Sequence, residues 1–198
     1  MLEPFVVKPG TPLRRTGTEA HASEPDELLM ERFLGGDGSA FEALFARHAA
    51  RVHAYLRRMV GPTLADDLTQ TTFLSVVRSR DRFLRGARFR PWLYAIASNA
   101  ARDQIRHARF EQPTDDGESP EQVAETLLPD PPLEKAVHTA LAQLPLPQRQ
   151  AILLHRFQGF SFGEIAEALG LTESAVKVRA HRGYVRLRTL LAHLGEGT

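Results

Sequence analysis

Apolar residues recur at helical spacing through the first half of the chain. In FEALFARHAARVHAYLRRMV, the positions Phe41, Leu44, Phe45, His48, Val52, Tyr55, Leu56 and Met59 fall on one side of a 3.6-residue period. Ser39 and Glu42 precede and open this run with capping-box spacing, a hydroxyl and then a carboxylate three residues on. Gly61-Pro62 stops it. A second helix is expected from Thr63-Leu64-Ala65-Asp66 through DDLTQTTFLSVVRS. A basic loop, RDRFLRGARFR, follows, and Pro91 then opens PWLYAIASNAARDQIRHAR, since proline is tolerated in a first helical turn.

The pattern disappears from Glu111 to Pro132, where EQPTDDGESPEQVAETLLPDPP is rich in proline and acid and reads as a linker, with room for a short turn of helix at EQVAETLL. Beyond it, Leu133, Val137, Leu141 and Leu144 mark a helix ended by Pro145, and Pro147 starts another, PQRQAILLHRF. Ser161-Phe162-Gly163-Glu164 is a second capping box, with Phe160 and Ile165 placed as a hydrophobic staple. The helix it opens stops at Gly170, and Thr172 caps another beginning at Glu173. Helix, glycine turn and helix make a helix-turn-helix unit. Ile165, Leu169, Leu171 and Val176 supply its inner seam, and Ala166 lets the two helices cross closely. No segment alternates as a strand would for more than four residues, so the fold class is all-α, in two small helical domains joined by an acidic flexible linker.

Charge sharpens this division. The formal net charge of +1 conceals blocks: residues 41–110 carry +8, residues 111–134 carry −8, and residues 135–194 carry +5. Basic blocks attract and steer polyanions. In the second helix of a helix-turn-helix, the N-terminal half meets base edges in the major groove. That half reads ESAVKVRAHR; Val176 and Ala180 turn inward, which points Lys177, Arg179, His181 and Arg182 outward. On the helix opened by Pro91, Asn99 and Asp103 share a side with Trp92, with Arg102 and Arg106 nearby, while Leu93, Ile96, Ala97 and Ala100 lie on the other. An amide and arginines beside a basic loop suit unstacked bases. Trp92, as a lone tryptophan, reads better as a core residue.

Other classes fit poorly. There are no cysteines, hence no disulfide, thiolate metal site or cysteine nucleophile. No apolar run approaches the ~20 residues of a membrane span, and the N-terminus lacks the pattern of a signal peptide, so the cytoplasm is the expected compartment. The histidines are scattered; His48 and His53 are five apart, the wrong spacing for a metal pair on one helix face. With no His-Glu-x-x-His, phosphate loop or Gly-x-Ser-x-Gly, neither catalysis, a metal nor a cofactor is expected. A regulator with a terminal helix-turn-helix would explain the second half, but its first half would need a sensor domain of strands alternating with helices.

Several stretches together resemble the sigma-70 family, in its extracytoplasmic-function (ECF) group. DDLTQTTFLSVV resembles the region 2 helix that docks on the RNA polymerase clamp. FRPWLYAIASNAARDQIR resembles the part of region 2 that opens and reads the −10 element. LPLPQRQAILLHRFQGFSFGEIAEALGLTESAVKVRAHRGYVRLR resembles region 4, which reads the −35 element. Residues 1–25 have no counterpart in the family and are expected to be a disordered extension; the resemblance implies a region 2 domain over 26–110, the linker over 111–132 and a region 4 domain over 133–194. It implies core polymerase contacts at Asp67, Leu68, Gln70 and Phe73, and −10 contacts at Arg85, Arg88, Arg90, Asn99, Arg102 and Arg106, with Asn99 accepting a flipped base. It also implies −35 contacts at Lys177, Arg179, His181 and Arg182. The implied partners are core polymerase, promoter DNA and an anti-sigma factor. Thr71, Val77 and His181 depart from the residues common at their positions.

Overall fold

The computed structural model describes residue 21 and residues 23–111 and 132–195, which form eight α-helices and no strand. Four make the first half: α1 (Asp26–Leu34), α2 (Gly38–Val60), α3 (Pro62–Arg78) and α4 (Phe89–Glu111). Four make the second: α5 (Pro132–Ala142), α6 (Leu146–Ile152), α7 (Phe162–Leu169) and α8 (Glu173–Gly195). Most of the acidic linker, including EQVAETLL, lies outside the described residues.

Helix starts differ from the expected ones: α4 begins at Phe89, two residues before Pro91, and α6 at Leu146, one before Pro147, and the starts of α2 and α3 differ as well. Asp37, not Ser39, caps α2: its carboxylate accepts from the Ser39 backbone N–H at 3.0 Å and from the Ser39 hydroxyl at 2.5 Å. An aspartate two residues earlier takes the exposed N–H groups first, and Arg32 holds it in place at 3.1 Å. α3 starts at Pro62 rather than near Thr63, because proline supplies a ready helical φ at the first position. Gly61 alone separates α2 from α3, and its φ of 92° is what permits so abrupt a corner. Helix α1, with Leu29, Met30 and Phe33 buried, was not among the expected elements.

The first-half core is built by Leu29, Met30, Leu44, Val52, Tyr55, Leu56, Met59, Val76, Phe89, Leu93 and Ala97, all buried. Two polar links set the helix geometry inside it. The Tyr55 hydroxyl and Ser98 Oγ, both fully buried, are 2.8 Å apart and tie α2 to α4; burial pushes the Tyr55 phenol up to about 12. Asp26 of α1 bonds His48 of α2 at 2.7 Å and also pairs with Arg47. Residues from the stretch expected to be disordered join this anchor: Arg47 donates to the carbonyls of Glu24 and His21, and buried His21 lies 3.1 Å from Ser39 Oγ.

In the second half, α6 does not run on as a regular α-helix. It widens into a π-type turn at Leu153–Phe157, which leaves Gly159 with φ 71° and turns buried Phe160 inward. The capping box at Ser161 forms in both directions, Glu164 N–H to Ser161 Oγ at 3.2 Å and Ser161 N–H to Glu164 Oε2 at 2.8 Å. Gly170 adopts the left-handed conformation, with φ 63°, and the Leu171 N–H closes the turn on Ala166 O at 2.9 Å. Thr172 Oγ1 accepts from the Ala175 N–H at 3.2 Å and caps α8. Ile165, Ala166, Val176 and Ala180 are buried between the two helices, while Leu169 and Leu171 are half-buried.

The halves pack on each other. Arg149 of α6 is largely buried and donates to Met59 O, at the end of α2, at 2.7 Å, and also to the carbonyls of Leu144 and Ala142. Arg58 lies over the Phe157 ring at 4.7 Å.

Two measurements test this packing. A Cβ at Gly183 would lie 2.6 Å from Ile152 Cδ1 and 3.2 Å from Gln148 Cβ, so Gly183→Val should lower stability in urea unfolding by about 1–3 kcal/mol. Desolvation raises the Asp26 pKa, but His48 and Arg47 together hold it below the ordinary 3.8. Its contribution is therefore complete above that pH and lost as pH falls through the lower folded value. Asp26→Asn should remove this acid limb from a stability–pH profile.

Candidate nucleic-acid interface

Two faces carry the charge and amide chemistry for nucleic acid. The first is the outer side of α4 with the loop before it. The loop is held from beneath by Phe83, 4% exposed, whose ring meets Trp92 edge-on at 5.1 Å. Trp92 is half-buried and also packs near Phe89, a structural role. The loop turns through an Ala87 N–H bond to Leu84 O at 2.9 Å and through Gly86, φ 80°. Arg85 is exposed on it. Asn99, Arg102 and Arg106 are exposed along α4; Arg102 donates to Asn99 Oδ1 at 3.2 Å and Arg106 pairs with Asp103 at 3.1 Å. Arg102 thus orients the amide of Asn99.

Arg88 and Arg90 are placed differently. Arg88 pairs with Glu164 at 3.1 Å and Glu167 at 2.5 Å, both on α7. Arg90 donates to Gln158 O at 2.7 Å and lies 4.6 Å over the Phe160 ring. Arg85, Asn99, Arg102 and Arg106 are therefore open to solvent, while Arg88, half exposed, and Arg90 face the second half of the chain.

The second face is the N-terminal half of α8. Lys177, His181 and Arg182 are exposed and Arg179 is half-buried. Lys177 is held by Glu173 one turn back at 2.7 Å. Ser174 and Val178 share the exposed side, and the expected set omitted them; a helical wheel places both beside Lys177 and Arg182.

On α3, Asp67 and Gln70 are exposed, but Leu68 and Phe73 are core residues, 8% and 3% exposed, with Phe73 edge-on to Phe45 at 4.8 Å. Leu74, 53% exposed, takes the outer position next to Gln70 and Thr71. An apolar residue among polar neighbours on a solvent face was the available signal. Among the described residues no group of three His, Asp or Glu could hold a metal, and no helix is long and apolar enough to cross a membrane.

Residues 44–111 match the family model for sigma-70 region 2, and residues 134–187 match that for sigma-70 region 4. The chain is 48% identical to the RNA polymerase sigma factor CarQ of Myxococcus xanthus over 169 residues, 83% of this chain and 97% of that protein. This chain belongs to the sigma-70 family, in its ECF group. It is also 36% identical to the ECF RNA polymerase sigma factor SigM of Mycobacterium tuberculosis, over 87% of each chain. Among solved structures, it resembles CnrH in complex with the cytosolic domain of CnrY, with TM-score 0.67, 30% identity, and coverage of 85% and 97% of the two chains. The fold also matches the sigma factor RpoE of Bartonella quintana, solved with the anti-sigma factor NepR, with TM-score 0.59, 24% identity, and coverage of 77% and 96%.

Within this sigma factor, the exposed α4 residues lie in region 2 and the exposed α8 residues in region 4. The α3 positions divide by burial into two kinds, and stability measurements separate them. Phe73→Ala should cost about 3–5 kcal/mol in thermal or urea unfolding, whereas Gln70→Ala and Asp67→Ala should stay within roughly 0.5 kcal/mol.

Proposed function

We propose that this chain directs RNA polymerase core to a specific set of promoters, as an ECF sigma factor held in check by an anti-sigma partner. The reading rests on one observation: a single chain carries two separate cationic faces, on α4 and on α8, in the two regions that define the family. Residues 26–110 act as the core- and −10-binding domain, 111–132 as the tether and 133–194 as the −35-binding domain. Sigma factors are transcription initiation factors, and the chemistry asked of these faces is binding.

Each face has a distinct task. Lys177, His181 and Arg182 with Ser174 and Val178 enter the −35 major groove, where cations reach guanine acceptors and phosphates and a valine methyl meets thymine. The α4 face holds −10 bases as they leave the stack. Flipping costs a few kcal/mol per base, which Asn99 offsets by hydrogen bonding to the base edge while Arg85, Arg102 and Arg106 take phosphates. Asp67, Gln70 and Leu74 form the outer face of α3 toward the polymerase clamp, with Leu68 and Phe73 supporting it from within. An anti-sigma partner of the kind implied by the family would cover these same faces; CnrH is seen bound to the cytosolic domain of CnrY.

Runoff transcription with core enzyme on a randomised promoter library tests the reading and returns the recognised sequence; no start-site selection by the purified chain would refute it. On the recovered promoter, Asn99→Ala should slow open-complex formation while leaving core affinity intact. Lys177→Ala should weaken −35 duplex binding and reduce the slope of log K against log salt by about 1 if it contacts a phosphate.

A further inference from the structure

The −10 loop of the isolated chain already holds a ligand, and that ligand is the chain's own region 4. Helix α7 offers the loop two carboxylates one turn apart, Glu164 and Glu167, and both meet Arg88. The turn before α7 offers a backbone carbonyl, that of Gln158, to Arg90, and an aromatic ring, that of Phe160, beneath the same guanidinium. Tyr94, one turn further along α4, donates its hydroxyl to Gln158 Oε1 at 2.6 Å and meets the Phe160 ring edge-on at 5.1 Å. Anionic oxygens, a neutral acceptor and a flat ring are also what an unstacked nucleotide strand presents: phosphates, base-edge acceptors and base faces.

We propose that α7 and the turn before it act as an internal stand-in for single-stranded promoter DNA, clasping Arg88 and Arg90 until a strand displaces it. The inference rests on the reading of this loop as the −10 interface and names what occupies that interface when DNA is absent. The same guanidinium groups cannot serve both partners, so strand binding requires the clasp to open. Affinity for single strands is then scaled down in proportion to the fraction of chains that are open.

The clasp is made to yield. Arg88 and Glu167 are about half exposed, and exposed ion pairs are weak and screened by salt. Orientation comes from the buried part of the contact, where Phe160 is 2% exposed and Arg149 reaches across to Met59 O. The −35 face is left out: Lys177, His181 and Arg182 stay exposed on α8 while the clasp is shut. A closed chain can therefore engage −35 duplex but not a −10 strand.

Glu167 is the residue to change, because Glu164 also accepts the capping bonds from Ser161. The natural absence of cysteine allows clean labelling of the full chain at Arg78→Cys and Thr189→Cys, both exposed, one on each half. Distances between these labels should be short and narrow in low salt for the parent chain. They should lengthen and broaden in Glu167→Arg and in Arg88→Glu, and return to the parent distribution when the two changes are combined. A fluorescent single-stranded 20-mer pool of random sequence should bind Glu167→Gln about 2- to 5-fold more tightly than the parent. Glu31→Gln, an equal charge change on exposed α1, should bind as the parent does. Unchanged distances in Glu167→Arg, or no recovery in the charge swap, would overturn the clasp. Equal tightening by Glu31→Gln would overturn it as well, since bulk charge would then be the cause. Failure of the −10 assignment has a different signature: normal transcription by Asn99→Ala, whatever the labels report.

Discussion

The hydrogen bond between the Tyr55 hydroxyl and Ser98 Oγ fixes what the rest of this protein can do. Both groups are fully buried, and leaving either without a partner would cost about 1–3 kcal/mol. That penalty sets the rotation of α4 about its own axis. With Ser98 turned inward, Leu93, Ala97 and Ala101 follow it into the core. Asn99, one residue and about 100° further round, is turned to solvent with Arg102 and Arg106 along the same side. A slip of one position would bury the amide and the arginines. The exposed amide and arginine face is thus a consequence of a packing constraint on the opposite side of the helix.

The cations on that side are useful because they are only loosely committed. Arg102 steadies Asn99, Arg106 is offset by Asp103 one turn back, and Arg88 spends its charge on two carboxylates of α7. Partners of this kind lower the cost of holding positive charge in a small chain without burying it, so a polyanion can replace them. Arg149 is the contrast. It is largely buried, burial pulls its pKa down, and its two terminal NH2 groups donate to the carbonyls of Met59, Leu144 and Ala142. It is a joint between the halves and is not available to DNA.

Local chemistry was read well from sequence wherever a residue acts on its immediate neighbours. The Ser161 capping box, the left-handed Gly170 turn and the Thr172 cap formed as their spacing required, because each is decided within four residues. Local competition misled in the same range. Asp37 took the α2 cap from Ser39, and Pro62 took the start of α3 from Thr63, each being the better group for the position. The π-type turn after Ile152 carried no signal, since Leu153 and Leu154 suit any buried helix. On α3, the family pattern named Leu68 and Phe73 as contacts, but helical geometry turns them inward and leaves Leu74 outside.

The sequence by itself determined the helices of the helix-turn-helix, the all-helical class, the two basic blocks and three of the four residues expected to point outward, Lys177, His181 and Arg182, the fourth, Arg179, being half-buried. These follow from periodicity and capping, which act along the chain over a turn or two. Only the tertiary structure decided that Arg88 and Arg90 face α7 and that Arg149 joins the halves. Those contacts link residues about 70 to 90 positions apart, such as Arg90 with Gln158 and Arg149 with Met59. No period or motif records such a pairing, because it depends on how two separately folded surfaces meet.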